Sequence, residues 1–264
     1  MNTQPQPKLV SPRSVERSDV FHRTILGVRF FTGSSEEAAR RGLEGGLVVV
    51  PSAPALAEII RDREYREAAK GADLVLTDSG FMVLFWWLLK REWLPRTSGL
   101  RYIKLLLAAP QLSAPSSAVW IMPSLASARR CLRWLESNGH PASFDQFYIA
   151  PNYPAGPVND VELLAFMRER KPSQIFLGLG GGTQEKVGLY LKRKLDFLPG
   201  IHCIGAAIGF LTGDQVHIPD WADRLLLGWL FRCADQPTRF VPRYWRSGKL
   251  ALMMWKYREL SPVK

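Results

Sequence analysis

The stretch QIFLGLGGGTQE (residues 174–185) contains the pattern from which the fold of this chain is predicted. Gln174 to Leu177 form an apolar run of strand length, Gly178 to Gly182 form a glycine-rich turn, and Thr183 begins a helical stretch. A strand that passes through a glycine turn into a helix is the repeating unit of α/β proteins. This stretch therefore predicts a parallel sheet whose strands are joined by helices.

The same order of strand and helix recurs on both sides of this stretch. Other strands are predicted over residues 24–31, 47–50, 74–77, 118–122, 144–149 and 202–206, and helices over 55–70, 80–90, 100–109, 124–138, 158–170 and 183–195. Ser34, followed by Glu37, is predicted to cap an additional helix that ends near Gly42. The alternation predicts the α/β class, with a mainly parallel sheet and helices on both faces.

Composition and charge narrow the class of protein. The 264 residues are 47% hydrophobic, which suits one large domain or two small ones with a buried core. Because 35 Lys and Arg outnumber 24 Asp and Glu, nucleic acid, anionic lipid and nucleotide-sugar phosphates are all candidate partners. Three cysteines without a C-x-x-C pair argue against a disulfide framework or zinc site and favour a reducing cytoplasm.

Three segments are predicted along the chain. Residues 1–23 lack the apolar core of a signal peptide and are expected to be a flexible extension, and residues 24–218 are expected to form the α/β core. Residues 219–264, called the C-terminal appendage below, mix basic and aromatic residues, which predicts a helical segment on a membrane surface. The longest apolar stretch, 81–89, is too short to cross a bilayer, so membrane contact should be peripheral.

Asp78 is the first candidate for chemistry, because it follows the predicted strand 74–77 and precedes a predicted helix. Ligands of open α/β sheets bind at the carboxyl ends of the strands, which makes this carboxylate a candidate general base for a hydroxyl group. Asp is also a favoured helix N-cap residue. Position alone supports both interpretations equally.

The glycine turn of residues 178–182 is a candidate phosphate-binding loop. Glycines such as Gly180 and Gly182 let the backbone approach a diphosphate closely, and the following helix N-terminus favours negative charge. The spacing fits neither the dinucleotide fingerprint nor a P-loop, and a tight strand-to-helix turn explains it equally well. Gln184 adds an amide that can recognise a uracil or hydroxyl edge.

Four arginines are candidate ligands for a diphosphate. Arg96 precedes a predicted helix, and Arg232, Arg239 and Arg243 belong to the C-terminal appendage. A guanidinium binds diphosphate oxygens through two parallel hydrogen bonds, although solvated surface positions explain isolated arginines as well. The four histidines have no metal-ligand spacing, so neither a metal site nor a cofactor is predicted.

Taken in order, these motifs resemble those of the WecG/TagA/CpsF glycosyltransferase family over about residues 24–244. The resemblance rests on Ala72-Asp73-Leu74-x-x-x-Asp78-x-Gly80, Arg96-x-x-Gly99, Gly178 to Glu185, Gly205-Ala206-x-x-x-Phe210-x-x-Gly213, Pro219-x-Trp221, Gly228 to Arg232, and Pro237-x-Arg239-x-x-x-Arg243-Tyr244. Members are bacterial enzymes that typically transfer N-acetylmannosamine or its uronic acid from UDP to an undecaprenyl-diphosphate-linked acceptor. The resemblance implies a Rossmann-like core with a membrane-targeting appendage, located peripherally at the inner face of the plasma membrane.

The resemblance also implies a role for each candidate residue. Asp78 would deprotonate the acceptor hydroxyl, Arg96 and Gln184 would line the nucleotide-sugar pocket, and the arginines of the appendage would close over the diphosphate. The positive charge of these arginines would then replace the metal ion that stabilises the leaving UDP in many glycosyltransferases. The implied reaction is a hexosyl transfer that needs no metal and inverts the anomeric centre. The implied partners are a UDP-sugar, a polyprenyl-linked acceptor and an anionic membrane surface, while formation of a homo-oligomer stays open.

Three departures from the family pattern concern specificity. Pro51-Ser52-Ala53 stands where the family has Thr-x-Asn, so Ser52 is the side chain that could replace the expected donors. In the glycine turn, Gly181-Gly182-Thr183 stands where many relatives have Gly-x-Pro. Gly228 stands where the family has a Glu before the residue that corresponds to Trp229. A diverged donor or acceptor is therefore expected. Two other interpretations are a basic nucleic-acid-binding protein, although no nucleic-acid-binding motif accompanies the charge, and an inactive scaffold of the same fold.

Overall fold

Six parallel strands form the central sheet of the computed structural model, which describes residues 21–112, 114, 117–205, 207–215 and 218–263, without the side chains of Asp220, Arg224, Arg239, Arg243 and Arg246. In chain order the strands are β1 (His22–Ile25), β2 (Val28–Phe31), β3 (Gly46–Val49), β4 (Leu74–Val75), β5 (Ala118–Met122), β6 (Phe147–Ile149), β7 (Gln174–Leu177) and β8 (Gly200–Cys203). The sheet has the order β4-β3-β8-β7-β5-β6, and each neighbouring pair is parallel. The first two strands form a separate antiparallel hairpin.

Helices connect these strands and continue beyond the last one. They are α1 (Ser35–Leu43), α2 (Ala53–Leu56), α3 (Arg63–Gly71), α4 (Gly80–Lys90), α5 (Gly99–Leu107), α6 (Leu125–Ser137), α7 (Val161–Arg170), α8 (Thr183–Lys194), α9 (Ala207–Thr212), α10 (Asp220–Arg224), α11 (Gly228–Asp235) and α12 (Pro237–Tyr257). Short 3₁₀ turns lie at Pro110–Leu112 and Phe144–Gln146. The predicted cap of the first helix is confirmed, because the Ser34 side chain accepts a hydrogen bond from the Glu37 amide at 3.1 Å.

Helices cover both faces of the sheet, as the sequence predicts for the α/β class. On one face, strand residues such as Leu47 and Ile175 pack with α3, α4, α7 and α8. On the other face, Val48 and Phe176 pack with α1, α5, α6 and α9. Because both faces are buried, successive strand residues are apolar rather than alternating in character.

Two predicted elements are interrupted in the structure. The single strand predicted over 24–31 is a hairpin, because Leu26 and Gly27 adopt φ values of 53° and 74° and turn the chain back. The single helix predicted over 55–70 is two helices, α2 and α3. Asp62 starts the second of them by accepting a hydrogen bond from the Tyr65 amide at 2.9 Å.

Two other predicted strands are shorter or shifted. The strand predicted over 144–149 begins with a 3₁₀ turn, and β6 takes only its last part, since Gln146 turns back to bond the amide of Ser143 at 2.7 Å. The strand predicted over 202–206 is β8, which ends at Cys203. Gly205 follows with φ 55°, a left-handed conformation that takes the chain out of the sheet.

The last helix of the C-terminal appendage is built into the core. Helix α12 packs against α2 and α4, and its Leu250 and Met254 are fully buried in the cluster that covers one face of the sheet. Beyond it, the carbonyls of Arg258 and Glu259 accept hydrogen bonds from the turn amides of Leu26 and Gly27, at 2.8 and 3.0 Å. Within the described ranges, no helix has both the length and the apolar character needed to cross a membrane.

Candidate functional site

A cavity of 840 Å³ opens at the carboxyl ends of the parallel strands. The segments that follow β3, β4, β5, β7 and β8 all contribute to its wall, through Ser52, Asp78, Pro123, Gly180 and Gly205 respectively. Ligands of open α/β sheets bind at this edge, where strand-to-helix loops bring chemically different side chains together. The cavity is therefore the candidate active site.

The C-terminal appendage supplies the opposite wall of this cavity. Its lining residues are Asp223, Leu226, Gly228, Trp229, Arg232, Phe240, Tyr244 and Ser247. Ser127, Arg130 and Asp214 add a further side, where Arg130 forms an ion pair with Asp214. The site is thus shared between the sheet and the last helices of the chain.

Asp78 is not the cap of the helix that follows it. Ser79 takes that position, because its side chain accepts a hydrogen bond from the amide of Met82 at 3.2 Å. The Asp78 carboxylate instead accepts a hydrogen bond, through Oδ1, from the backbone amide of Gly99 at 2.9 Å. Asp78 therefore faces the cavity while one of its oxygens is held by the first residue of α5.

Burial and charge act on this carboxylate in opposite directions. Burial raises the pKa of Asp78 above its ordinary value, and the negative charge of Asp223 acts in the same sense. The positive charges of Arg96 and Arg232 and the hydrogen bond from Gly99 act against this rise. A raised pKa brings a carboxylate closer to the range in which it can serve as a general base.

Arg96 lines the cavity, and its guanidinium is already engaged. Nε donates to the backbone carbonyl of Asp78 at 2.7 Å, and the two terminal nitrogens donate to the carbonyl and to Oδ1 of Asp223 at 2.7 and 3.0 Å. These bonds use three of the five N–H donors of the guanidinium. The nearer terminal nitrogen lies 3.9 Å from Oδ1 of Asp78. Arg96 thus connects Asp78 to the appendage.

The glycine turn opens α8 toward the cavity. Gly182 has a φ of 95°, and its amide donates to Oε2 of Glu185 at 2.6 Å, which closes the first turn of the helix. A Cβ atom added at Gly180 would meet no atom within 4 Å, whereas one added at Gly181 would lie 3.6 Å from the Ser52 hydroxyl. Gly180 and Gly181 line the cavity, whereas Gly182 belongs to the turn without lining the cavity.

Ser52 and Gln184 both line the cavity, and the Ser52 hydroxyl lies close to Gly181 of this turn. Ser52 stands at the N-cap position of α2 without making a capping hydrogen bond with its side chain. The Gln184 amide nitrogen donates to Oε1 of Glu185 at 3.0 Å and to the carbonyl of Cys203 at 3.3 Å. Its Oε1 is buried at the cavity wall and has no hydrogen-bond partner among the described residues. Such an acceptor suits a ligand that carries an N–H or O–H donor.

Arg232 is a cation that the appendage places in the cavity. Its guanidinium lies 4.6 Å from the ring centre of Phe210 and 5.8 Å from that of Phe240. Nη1 is 3.5 Å from the hydroxyl of Tyr244. Arg239 and Arg243 belong to α12, but their side chains lie outside the described part of the structure, so their predicted contacts with a diphosphate stay predictions.

Asp223 is a site residue that the sequence does not predict. The same holds for Ser127, Arg130 and Asp214. Besides its two bonds with Arg96, Asp223 accepts a hydrogen bond from the hydroxyl of Ser98 at 2.5 Å. It follows no strand and belongs to no recognised spacing, so the sequence carries no local signal for it. Across the described residues, no group of three or more His, Cys, Asp or Glu side chains could hold a metal ion.

Comparison with known proteins identifies a related family. The model of a family described as "Glycosyl transferase WecG/TagA/CpsF family" matches residues 23–262, which is nearly the whole chain and includes the cavity. A search of curated proteins found no match.

Proposed function

The chain belongs to the WecG/TagA/CpsF family of glycosyltransferases, and on that premise we propose that it transfers a sugar from a UDP-sugar to a polyprenyl-diphosphate-linked acceptor. The sugar is of the N-acetylmannosamine type, and the product serves the synthesis of a cell-surface polysaccharide. One observation carries the proposal. A partly exposed carboxylate, Asp78, faces a cavity of 840 Å³ that also contains the guanidinium of Arg232 and the glycine turn of α8.

The proposed reaction is a single displacement. The Asp78 carboxylate takes the proton of the acceptor hydroxyl, the acceptor oxygen bonds to the anomeric carbon, and the bond from that carbon to the diphosphate oxygen breaks. Attack from the face opposite to the leaving group inverts the anomeric centre. The negative charge that develops on the departing UDP is balanced by Arg232, with Arg239 and Arg243 as proposed further partners.

The nucleotide is proposed to bind along the glycine turn. The N-terminus of α8 favours a diphosphate through amides other than that of Gly182, which Glu185 already binds. The open space above Gly180 leaves room for the close approach of the diphosphate. The unpartnered Oε1 of Gln184 would accept a hydrogen bond from the uracil N–H or from a hydroxyl. The Ser52 hydroxyl is proposed to donate a hydrogen bond to the sugar, in place of the Thr and Asn side chains that the family has at this position.

Peripheral binding to an anionic membrane is part of the proposal. On α12, Trp245 is 86% exposed and Trp255 is 64% exposed, and the exposed Lys249 and Lys256 lie close to them along the helix. Aromatic rings favour the headgroup level of a bilayer, and lysines favour its anionic surface. The same helix carries the residues that close the cavity, so binding would place the site beside a lipid-linked acceptor.

The test is a panel of UDP-sugars incubated with a polyprenyl-diphosphate-GlcNAc acceptor, with and without EDTA, and analysed by product mass. We expect the acceptor to gain the mass of one sugar residue with one donor of the panel, to the same extent in EDTA. No mass gain with any donor would contradict the proposed transfer. Activity that disappears in EDTA and returns with a divalent metal would contradict the arginine-balanced departure of UDP.

A further inference from the structure

Asp223 joins the appendage to the segment that holds Asp78. Its carboxylate and carbonyl accept hydrogen bonds from Arg96, and the second carboxylate oxygen accepts one from Ser98. Ser98 is the N-cap of α5, and its neighbour Gly99 donates to Asp78. Asp223 therefore binds both Arg96 and Ser98, the residues on either side of Thr97. Asp78 contacts this same segment, through the Arg96 side chain and the Gly99 amide.

This contact is shielded from solvent rather than being a surface ion pair. The side chains of Asp223 and Arg96 are 18% and 19% exposed, and the pair has four polar contacts when Ser98 and the Asp78 carbonyl are included. Shielded, multiply bonded pairs hold their geometry better than exposed pairs, which contribute little. Breaking such a pair from one side leaves the other charge uncompensated.

A second contact fixes the same part of the appendage. Leu226 adopts a left-handed φ of 64°, which is strained for a leucine, and its side chain lies against Gly80 at the start of α4. A Cβ atom added at Gly80 would lie 3.0 Å from this side chain, so any larger residue there would push the Leu226 side chain away by a few tenths of an ångström. The turn after α10 is thus seated directly on the residues that follow Asp78.

We propose that Asp223 is a positioning residue through which the C-terminal appendage sets the orientation of Arg96 and thereby of the Asp78 carboxylate, an inference that rests on the proposed function. Asp223 does not touch the reacting atoms in this scheme. It holds the Arg96 guanidinium against the backbone of Asp78 and offsets the charge of that guanidinium. Arg232, which forms no ion pair among the described side chains, then faces the diphosphate.

Charge gives this role a signature that a purely structural contact lacks. The groups that act on Asp78 are Arg96, Arg232, Asp223 and the Gly99 amide, and Asp223 is the only acid among them in the described residues. Removing its negative charge leaves Arg96 less balanced, which lowers the pKa of Asp78. The acid limb of the pH profile of kcat should then move to lower pH.

The experiment compares Asp223→Asn and Asp223→Ala with the wild-type protein and with Glu259→Gln. The control breaks another ion pair of the appendage, Lys90 with Glu259 at 2.6 Å, at the far end of α12. We expect kcat to fall roughly 10-fold in Asp223→Asn and roughly 100-fold in Asp223→Ala, with a much smaller change in KM for the UDP-sugar. The acid limb should move to lower pH in both variants and stay in place in Glu259→Gln.

Hydrogen exchange provides a readout that needs no turnover. Amides 97–101 should exchange faster in Asp223→Ala than in wild type or Glu259→Gln, because the N-cap of α5 loses its partner. An acid limb that does not move in Asp223→Asn, or exchange at 97–101 equal to wild type in Asp223→Ala, overturns the inference. If the wild-type protein transfers no sugar, the proposed function fails on its own, and the exchange result still decides whether Asp223 holds this segment.

Discussion

The carboxylate of Asp78 caps a helix that is not its own, because its Oδ1 accepts the amide of Gly99, the first residue of α5, at 2.9 Å. The first amides of a helix have no partner within the helix, and they orient any acceptor that meets them. Among the side chains and backbone groups that the structure describes, none donates a hydrogen bond to Oδ2, which leaves that oxygen to a substrate hydroxyl in the proposed reaction. A general base needs this combination of a fixed orientation and an open oxygen.

Replacing this base should stop turnover without removing the binding site. In Asp78→Asn the amide oxygen can still accept from Gly99, but the side chain can no longer take a proton. We expect kcat to fall roughly 10²- to 10⁴-fold, with little change in the affinity for the UDP-sugar measured by calorimetry. The matched control is Asp73→Asn, since Asp73 also accepts from a backbone amide, that of Leu47 at 2.7 Å, outside the cavity. Turnover near wild type in Asp78→Asn would remove this residue from the mechanism.

The same substitution should stabilise the protein at neutral pH. Because burial raises the pKa of Asp78, the folded protein binds a proton there more tightly than the unfolded chain does. At pH values above the ordinary pKa of aspartate, the ionised Asp78 carboxylate therefore lowers the free energy of unfolding. An uncharged Asn at this position does not have that effect. Thermal unfolding should give a higher Tm for Asp78→Asn at neutral pH, with a difference that shrinks as the solution is acidified. An equal or lower Tm at neutral pH would contradict the assignment of a destabilised carboxylate.

Gln184 should determine affinity for the nucleotide rather than the rate of transfer. Its unpartnered Oε1 is proposed to accept a hydrogen bond from the ligand. Gln184→Met keeps the length of the side chain and removes that acceptor, together with the amide donor to Glu185 and the Cys203 carbonyl. Loss of one buried hydrogen bond costs about 1 to 2 kcal/mol, which is roughly a 10-fold loss of affinity for UDP in a calorimetric titration. Unchanged affinity in a variant that retains the wild-type circular dichroism spectrum would place the nucleotide elsewhere.

His202 should make stability depend on pH although it lies outside the cavity wall. The imidazole is buried between the Tyr102 hydroxyl at 2.9 Å and Oε1 of Gln174 at 2.8 Å, and burial lowers the pKa of His202 to about 3. The unfolded chain protonates this histidine near pH 6.5, so the free energy of unfolding should fall on acidification from that pH down to about 3. The contribution is roughly 1.4 kcal/mol per pH unit.

Urea unfolding at a series of pH values tests this expectation. The wild-type protein should lose stability more steeply between about pH 6.5 and 5 than His202→Gln, which has no group that titrates there. Parallel curves for the two proteins would show that His202 is protonated in the folded state as readily as in the unfolded state.

Exposed tryptophans of α12 should determine vesicle binding. The double variant Trp245→Ser with Trp255→Ser removes two exposed aromatic rings and leaves the buried Leu250 and Met254 in place. We expect flotation with anionic vesicles to fall several-fold, and wild-type binding to fall in high salt. Leu198→Ser is the control, since Leu198 is 73% exposed just before β8, at the edge of the sheet opposite to the cavity. Equal losses in the control and the double variant would contradict a specific membrane face.

Truncation of the C-terminal appendage would remove part of the core together with the site. Removal of the chain from Arg232 onward would take Leu250 and Met254 out of the main core, and the hydrogen bonds from the tail to Leu26 and Gly27 would be lost with them. Large losses of buried apolar surface destabilise a fold by several kcal/mol. Loss of activity in such a truncation would therefore report unfolding as well as the loss of the site.

The part of the fold that depends on local pattern could be predicted from the sequence. Apolar runs such as 118–122 and 174–177 are strands because both faces of the sheet are covered. The run 74–77 predicts Asp78 directly after a strand, whereas β4 ends at Val75 and Asp78 follows in the loop. The break between α2 and α3 was not predicted, because the apolar residues of this region continue through it. Asp62, a capping residue, was the available signal.

The partners of the candidate residues could not be predicted in the same way. Arg96 and Asp223 are separated by 127 positions, and no periodicity or spacing relates residues at that distance. The sequence showed a family pattern without its usual Glu before Trp229, yet the appendage brings a carboxylate to the site from another position. The hydrogen bonds between Arg96 and Asp223 are a consequence of tertiary packing alone.

The hydrogen bonds between the tail and the turn at Leu26 and Gly27 also determine when the protein can finish folding during synthesis. The hairpin leaves the ribosome early, but the carbonyls of Arg258 and Glu259 that complete it are made long afterwards. The same delay applies to the central strand pair β3 with β8 and to the core positions of Leu250 and Met254. Contacts between residues so distant in sequence form slowly, and until they form the nascent chain exposes apolar surface. The growing chain therefore keeps part of its apolar core exposed until its last helix is made.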